Sequence, residues 1–172
     1  MRIDNSIQGF EFLYAIHQEN IEAMGGLSKE WTFFELVQER LEPEKEYMLY
    51  VGYVNDKAVA ACLTLRYGGF VDYFTPAIKA EFRPTQALSA VIIHAMQDAA
   101  VSGYHWWNWG GTWSSQNNLY RFKARWGGQD NRYLYHIKVL GDLRDFSELG
   151  KDALLKSYPF FYTIPFRFLG MV

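Results

Sequence analysis

The stretch PTQALSAVIIHAMQDAAVSGYHWWNWGG, residues 84–111, decides the fold. Leu88, Val91, Ile92, Ala95, Met96 and Ala99 recur at helical spacing, with Pro84 ahead of them and Ser102-Gly103 as a stop signal. HWWNW at 105–109 then reads as a strand. The helix is long enough to be a crossover, so this strand is expected to lie parallel to the earlier strand-like run Phe70–Thr75. Trp107 and Trp109 share one face of such a strand, Trp106 and Asn108 the other; a central strand buries both, which predicts three core tryptophans. Gly110-Gly111 follow where the strand ends, and glycine lets a ligand approach the backbone. For Trp113, lining a cleft mouth and plain packing are equally open.

Working outward, Phe10, Leu13, Tyr14, Ile21 and Met24 predict a first helix closed by Gly25-Gly26. Phe33, Leu36, Val37 and Leu41 predict a second from about residue 30 to 41, stopped at Pro43. A short strand at Arg2–Asp4 precedes them. Tyr47–Val54, Ala58–Tyr67 and Phe70–Thr75, joined by Asn55-Asp56 and Gly68-Gly69, predict an antiparallel meander. Beyond the central unit come a helix at about 115–126, capped by Ser114 or Ser115 and closed by Gly127-Gly128, and a strand at Tyr133–Val139. The expected order is β-α-α-β-β-β-α-β-α-β, a mixed-sheet α/β fold.

A chain of 172 residues, 49% hydrophobic and 21% charged, fits one domain, with a core over 1–140 and a helix and aromatic tail over 141–172. A net charge of −2 carries no strong polybasic signature, although it leaves room for a local basic face, and no DNA partner is expected. No segment reaches the length of a membrane span or a signal peptide, so a cytoplasmic protein is expected. The single Cys62 excludes a disulfide within the chain, and no His/Cys/Asp/Glu spacing suggests a metal. The tail YPFFYTIPFRF, with Pro159 and Pro165, adds an edge strand or folds back on the domain.

The order of elements resembles the Gcn5-related N-acetyltransferase (GNAT) fold, in which two central strands splay and the gap receives the acyl donor. NWGGTWSSQNNLYRFKARWGG, with FTPAIKAEFRPTQAL and HQENIEAMGGL, is similar to the FemA/FemX-type branch, most specifically through LYRFKARWG at 119–127. The resemblance implies acyl or aminoacyl transfer to a primary amine, with aminoacyl-tRNA or acyl-coenzyme A as donor. It implies a small-molecule or peptide acceptor, as in cell-wall or polysaccharide precursors. Peptide-bridge enzymes of this type carry two such domains, so a second domain or a homodimer is an expected partner. Coenzyme-A-dependent relatives carry a glycine-rich phosphate loop before the central helix, whereas this chain reads EFRPTQA; Pro84 removes one N–H donor outright. Two alternatives stand beside this reading: a coenzyme-A-dependent N-acetyltransferase and a non-catalytic GNAT-like binding module.

Candidate residues follow. Lys123 falls within about 40° of Leu119 on a helical wheel, inside the Leu119, Phe122, Trp126 stripe. It either snorkels or holds a cation where an oxyanion develops, and the resemblance assigns Phe122-Lys123 to donor contact. Arg121 and Arg125 face away, towards solvent or tRNA phosphates. Gly110, Gly111, Thr112, Trp113, Thr85 and Gln86 are further donor-side candidates. Asp72 is the candidate base for the attacking amine, an exposed strand position being its alternative. His17, Asn20 and Tyr73 are candidate acceptor contacts, although the inward position of His17 and Asn20 on the first helix fits satisfied core polar groups better. His94 and Asp98 fit a surface pair rather than a dyad.

Overall fold

Ser6 begins the fold by accepting the Gly9 N–H at 3.2 Å, which caps helix α1 (Ile7–Glu22). The computed structural model describes residues 1–112, 116–132, 134, 136, 138 and 140–157. Strand β1 (Arg2–Ile3) precedes α1; helix α2 (Trp31–Arg40) and strands β2 (Tyr47–Val54), β3 (Lys57–Tyr67) and β4 (Phe70–Ile78) follow. A 3₁₀ segment (Ala80–Thr85) leads into α3 (Ala87–Val101), β5 (Trp106–Asn108) and α4 (Asn117–Ala124). Helices α5 (Leu143–Leu149) and α6 (Lys151–Ser157) come last. The chain divides into two compact units, Met1–Gly128 and Gln129–Val172; the sheet lies in the first.

The sheet order is β1-β2-β3-β4-β5, antiparallel through β4, and the β4–β5 pair is parallel, as the crossover reading requires. Helices α1 and α2 cover one face, where Phe10, Leu13, Ile16 and Phe34 meet Leu49, Val51, Ala61 and Leu63. Helix α3 covers the other, setting Ala87, Val91 and Ala95 against Met48, Tyr50, Ala60 and Cys62. Burying each large apolar side chain contributes about 1.5–3 kcal/mol, so these two layers dominate the stability. The contact of α3 with β2 is tight: a Cβ on Gly52 would stand 2.7 Å from Val91 Cγ2.

Three expectations are corrected. Strand β4 runs through Pro76 to Ile78 instead of ending at Thr75. Proline is tolerated because β5 pairs only as far as Asp72, so among the described residues no strand beyond it demands an N–H on that side. Trp106 is 64% exposed and Trp107 and Trp109 are half-buried, because β5 is a three-residue strand at the end of the described order, not a central one. The strand expected at Tyr133–Val139 has no regular structure at Leu134, His136 or Lys138, and its other positions lie outside the described residues. So do Trp113, Ser114, Ser115 and the tail from residue 158.

Candidate active site

Strands β4 and β5 share three rungs, ending at Asp72–Asn108, after which β4 continues and the other chain turns away. Gly110 makes that turn at φ 69°, a left-handed conformation that favours glycine. The result is a fork open towards the carboxyl ends of both strands. A bulge in β4 at Phe74 adds to the divergence, since Leu63 pairs Thr75 while Thr64 pairs Tyr73.

At the base of the fork, Asn108 donates from Nδ2 to Asp72 Oδ1 at 2.8 Å and accepts the Gly110 N–H on its Oδ1 at 2.9 Å. Lys123 reaches the same turn from α4. Its Nζ donates to Gly110 O at 3.2 Å, Gly111 O at 3.0 Å and Thr112 Oγ1 at 2.9 Å. An ammonium has three donors, so this geometry commits all of them to the turn. Burial lowers the Lys123 pKa from its ordinary value. Phe122 and Trp126 are half-buried beside it, while Arg121 and Arg125 are exposed.

The aromatic concentration has a structural purpose here. Trp109 is the hub: its ring lies 5.1 Å from Tyr73, 5.8 Å from Trp107, 5.6 Å from Trp126 and 6.3 Å from Phe122. These pairs fasten α4, and with it Lys123, to the end of β5. Trp106 stacks instead on Phe70 at 6.2 Å, on the opposite face.

The candidates from the sequence separate by face. Asp72 pairs in register with Leu65, which packs against the α1/α2 layer, so Asp72 belongs to that face. Tyr73 belongs to the α3 face against Trp107, where burial raises its phenol pKa and nearby Cys62 adds to the rise; the structure does not bring it together with His17 and Asn20. Asn20 spends both ends of its amide on Ile78, donating to its carbonyl at 2.9 Å and accepting its N–H at 3.2 Å. That pins α1 to the far end of β4. His17 is buried edge-on against Phe34, and its Nε2 accepts the Lys29 N–H at 3.5 Å. Burial, and secondarily the Lys29 charge, lowers its pKa to about 4.

Ahead of α3, Thr85 Oγ1 accepts the Ala87 N–H at 3.3 Å and donates to Phe82 O at 2.6 Å. Gln86 stands at φ 57° and accepts from Ser89 Oγ at 3.2 Å. Thr85 thus takes one of the first N–H groups of α3, the N-cap residue Gln86 makes no side-chain cap hydrogen bond, and a residue with a side chain occupies the left-handed position. The loop offers a pyrophosphate fewer open donors than a glycine-rich one, because Pro84 has no N–H and that of Ala87 is already taken.

Two features went unread in the sequence. Asp98 pairs not with His94 but with Arg66 Nη2 at 2.6 Å and the Tyr50 hydroxyl at 2.5 Å; His94 lies edge-on to the Tyr50 ring. Arg66 is almost wholly buried, its guanidinium 5.2 Å from the Tyr104 ring. The spacing Cys62, Thr64, Arg66 on one strand face was the available signal. Lys29 was missed because it sits in a connection with no periodicity. Among the described residues no group of three His, Cys, Asp or Glu side chains could hold a metal, and no helix is long and apolar enough to cross a membrane.

The fold agrees with known proteins. A possible acetyltransferase from Clostridium difficile 630 superposes with a TM-score of 0.64 at 11% identity, covering 81% of this chain and 97% of that one. An aminoglycoside acetyltransferase from an uncultured soil metagenomic sample, in complex with sisomicin, gives 0.59 at 12% identity, covering 82% and 96%. The ribosomal-protein-S18-alanine N-acetyltransferase from Escherichia coli gives 0.53 at 15%, covering 71% and 75%. No curated protein shows significant sequence similarity. The family model of the acetyltransferase (GNAT) domain matches residues 1–124, nearly the whole first unit, and the chain accordingly belongs to the GNAT acetyltransferase family, enzymes that move an acyl group to an amine nitrogen.

Proposed function

We propose that the fork between β4 and β5 takes an activated acyl donor and that Asp72 accepts the proton of an attacking primary amine. The carrying observation is the position of Asp72: on the last rung, with Oδ1 held by Asn108 and Oδ2 uncommitted among the described residues. The amine nitrogen attacks the acyl carbon, its proton passes to Asp72, the amide bond forms, and the bond to the donor's leaving atom breaks. Beyond Asp72 the edge of β4 faces no strand among the described residues, so an extended donor can pair with its backbone. Lys123 shapes the Gly110–Thr112 turn; exchange of its Thr112 bond for the acyl oxygen brings its charge onto the developing oxyanion.

The glycine-poor segment before α3, with Pro84 lacking an N–H and the Ala87 N–H taken by Thr85, favours an aminoacyl ester donor of the FemX type over coenzyme A. In that reading the acceptor is a cell-wall or polysaccharide precursor amine, and a second GNAT-like domain or a second copy completes its site. The family match favours the second reading, acetyl-coenzyme A as donor. Thermal shift separates them. An aminoacylated acceptor-stem mimic is expected to raise the melting temperature and acetyl-coenzyme A to leave it unmoved. The reverse result selects the second reading, and no response to either selects a binding module.

A further inference from the structure

Lys29, in the connection between α1 and α2, holds its ammonium 5.1 Å from the Phe74 ring centroid and 6.0 Å from Phe33. Those two rings stack on each other at 5.5 Å. The side chain is half-buried, and no Lys29 ion pair forms among the described residues. Cation–π contact returns about 0.5–2 kcal/mol, whereas drawing an ammonium out of water without a counter-charge costs several. The position is therefore electrostatically incomplete.

A second observation lies beside it. The Thr75 hydroxyl is buried and has no hydrogen-bond partner among the described residues. Thr75 pairs with Leu63 and Phe74 is the bulged residue, so both belong to the α1/α2 face, as does Asp72. Asp72 precedes Phe74 by two residues, about 7 Å along the strand. A candidate base thus lies two residues from the ring that Lys29 contacts, on the same face of β4.

We propose that the amine acceptor also carries a carboxylate, which Lys29 receives while Asp72 meets the amine. The Phe74 ring then underlies the few bonds between the two ends, which excludes a simple alkylamine as the preferred acceptor. The inference rests on the acyl-transfer reading for the place of the amine, and on Lys29 alone for the anion.

The test has two arms. In the first, glutarate, a dicarboxylate without an amine, is titrated into protein labelled with ¹³C at lysine Cε. The Lys29 resonance is expected to shift, with glutarate affinity at least about tenfold weaker in Lys29→Met and retained in Lys29→Arg. An unshifted Lys29 resonance up to about 50 mM glutarate, or equal affinity in a folded Lys29→Met, overturns the proposal. In the second, 6-aminohexanoate and hexylamine are compared as acceptors. Lys29→Met is expected to raise KM for the first about tenfold or more and leave the second unchanged; equal KM values in the wild type overturn it. If neither amine reacts, the acyl-transfer reading fails, while the glutarate titration still decides the anion site.

Discussion

Asn108 donates its side-chain amide to Asp72 at 2.8 Å across the last rung between β4 and β5, and the other end of that amide holds the Gly110 N–H at 2.9 Å. One residue thereby closes the paired part of the two strands, orients the candidate base and starts the turn that Lys123 occupies.

Asp72→Asn keeps the size of the side chain and an acceptor for Asn108 but cannot take a proton. Turnover is expected to fall on the order of 10²–10⁴-fold with the melting temperature within about 2 °C of wild type. Asn108→Ala leaves the carboxylate in place but unoriented, so kcat is expected to fall about tenfold with KM for the amine near constant. Steady-state kinetics decide it: full activity in Asp72→Asn moves the base elsewhere.

Lys123→Met preserves the stem of the side chain and removes three hydrogen bonds to an exposed turn. Stability is expected to change by less than about 1 kcal/mol, because the released oxygens reach water. Single-turnover rates are expected to fall on the order of 10²–10³-fold, while Arg121→Met, on the exposed face, stays at the wild-type rate. A Lys123→Met enzyme as fast as wild type reduces Lys123 to a snorkelling lysine.

Asp98→Asn strands the Arg66 charge at a buried position, at an expected cost of about 3–5 kcal/mol in urea unfolding. Burial pushes the Asp98 carboxyl up, but hydrogen bonds from Tyr50 and Arg66, and the Arg66 charge, outweigh it and hold the pKa below 3.8. A depressed carboxylate stabilises fully above its unfolded value and loses that contribution as pH falls through the folded value. The gap between wild type and Asp98→Asn should therefore be constant above about pH 5 and narrow as pH falls below the ordinary carboxylate range.

His17 behaves differently with pH. Its folded pKa of about 4 lies under the ordinary 6.5, so between these values the unfolded chain takes up a proton that the folded one refuses. Stability is full above pH 6.5 and is expected to fall by up to about 3 kcal/mol on acidification to pH 4. His17→Leu removes this slope. Urea unfolding at pH 7 and pH 5 measures it, and parallel curves for the two proteins place the acid sensitivity at another group.

The helices α1, α2 and α3 and the strands β2 and β3 were legible in the residues, because period and turn chemistry act over neighbours in sequence. So was the inward bias of Phe122 and Lys123 on α4 and of Trp126 just after it. The end of β4 was not, because Pro76 breaks a strand pattern unless the adjacent strand has already departed, and that departure is a property of two strands. Trp106 was read as core for the same reason: a strand's own alternation does not say whether it lies inside a sheet or at its limit.

The sequence by itself determined the order of elements from β1 to α4, the parallel crossover and the family to which they point. Tertiary structure alone decided what each polar side chain does. Asp72 and Asn108 are 36 positions apart, Arg66 and Asp98 are 32, and Asn20 and Ile78 are 58. Hydrogen bonds of this kind form at about 3 Å, a range at which only folded geometry selects partners. Hydrophobic periodicity tolerates a shift of an ångström; the commitment of Lys123 to three oxygens of one turn does not.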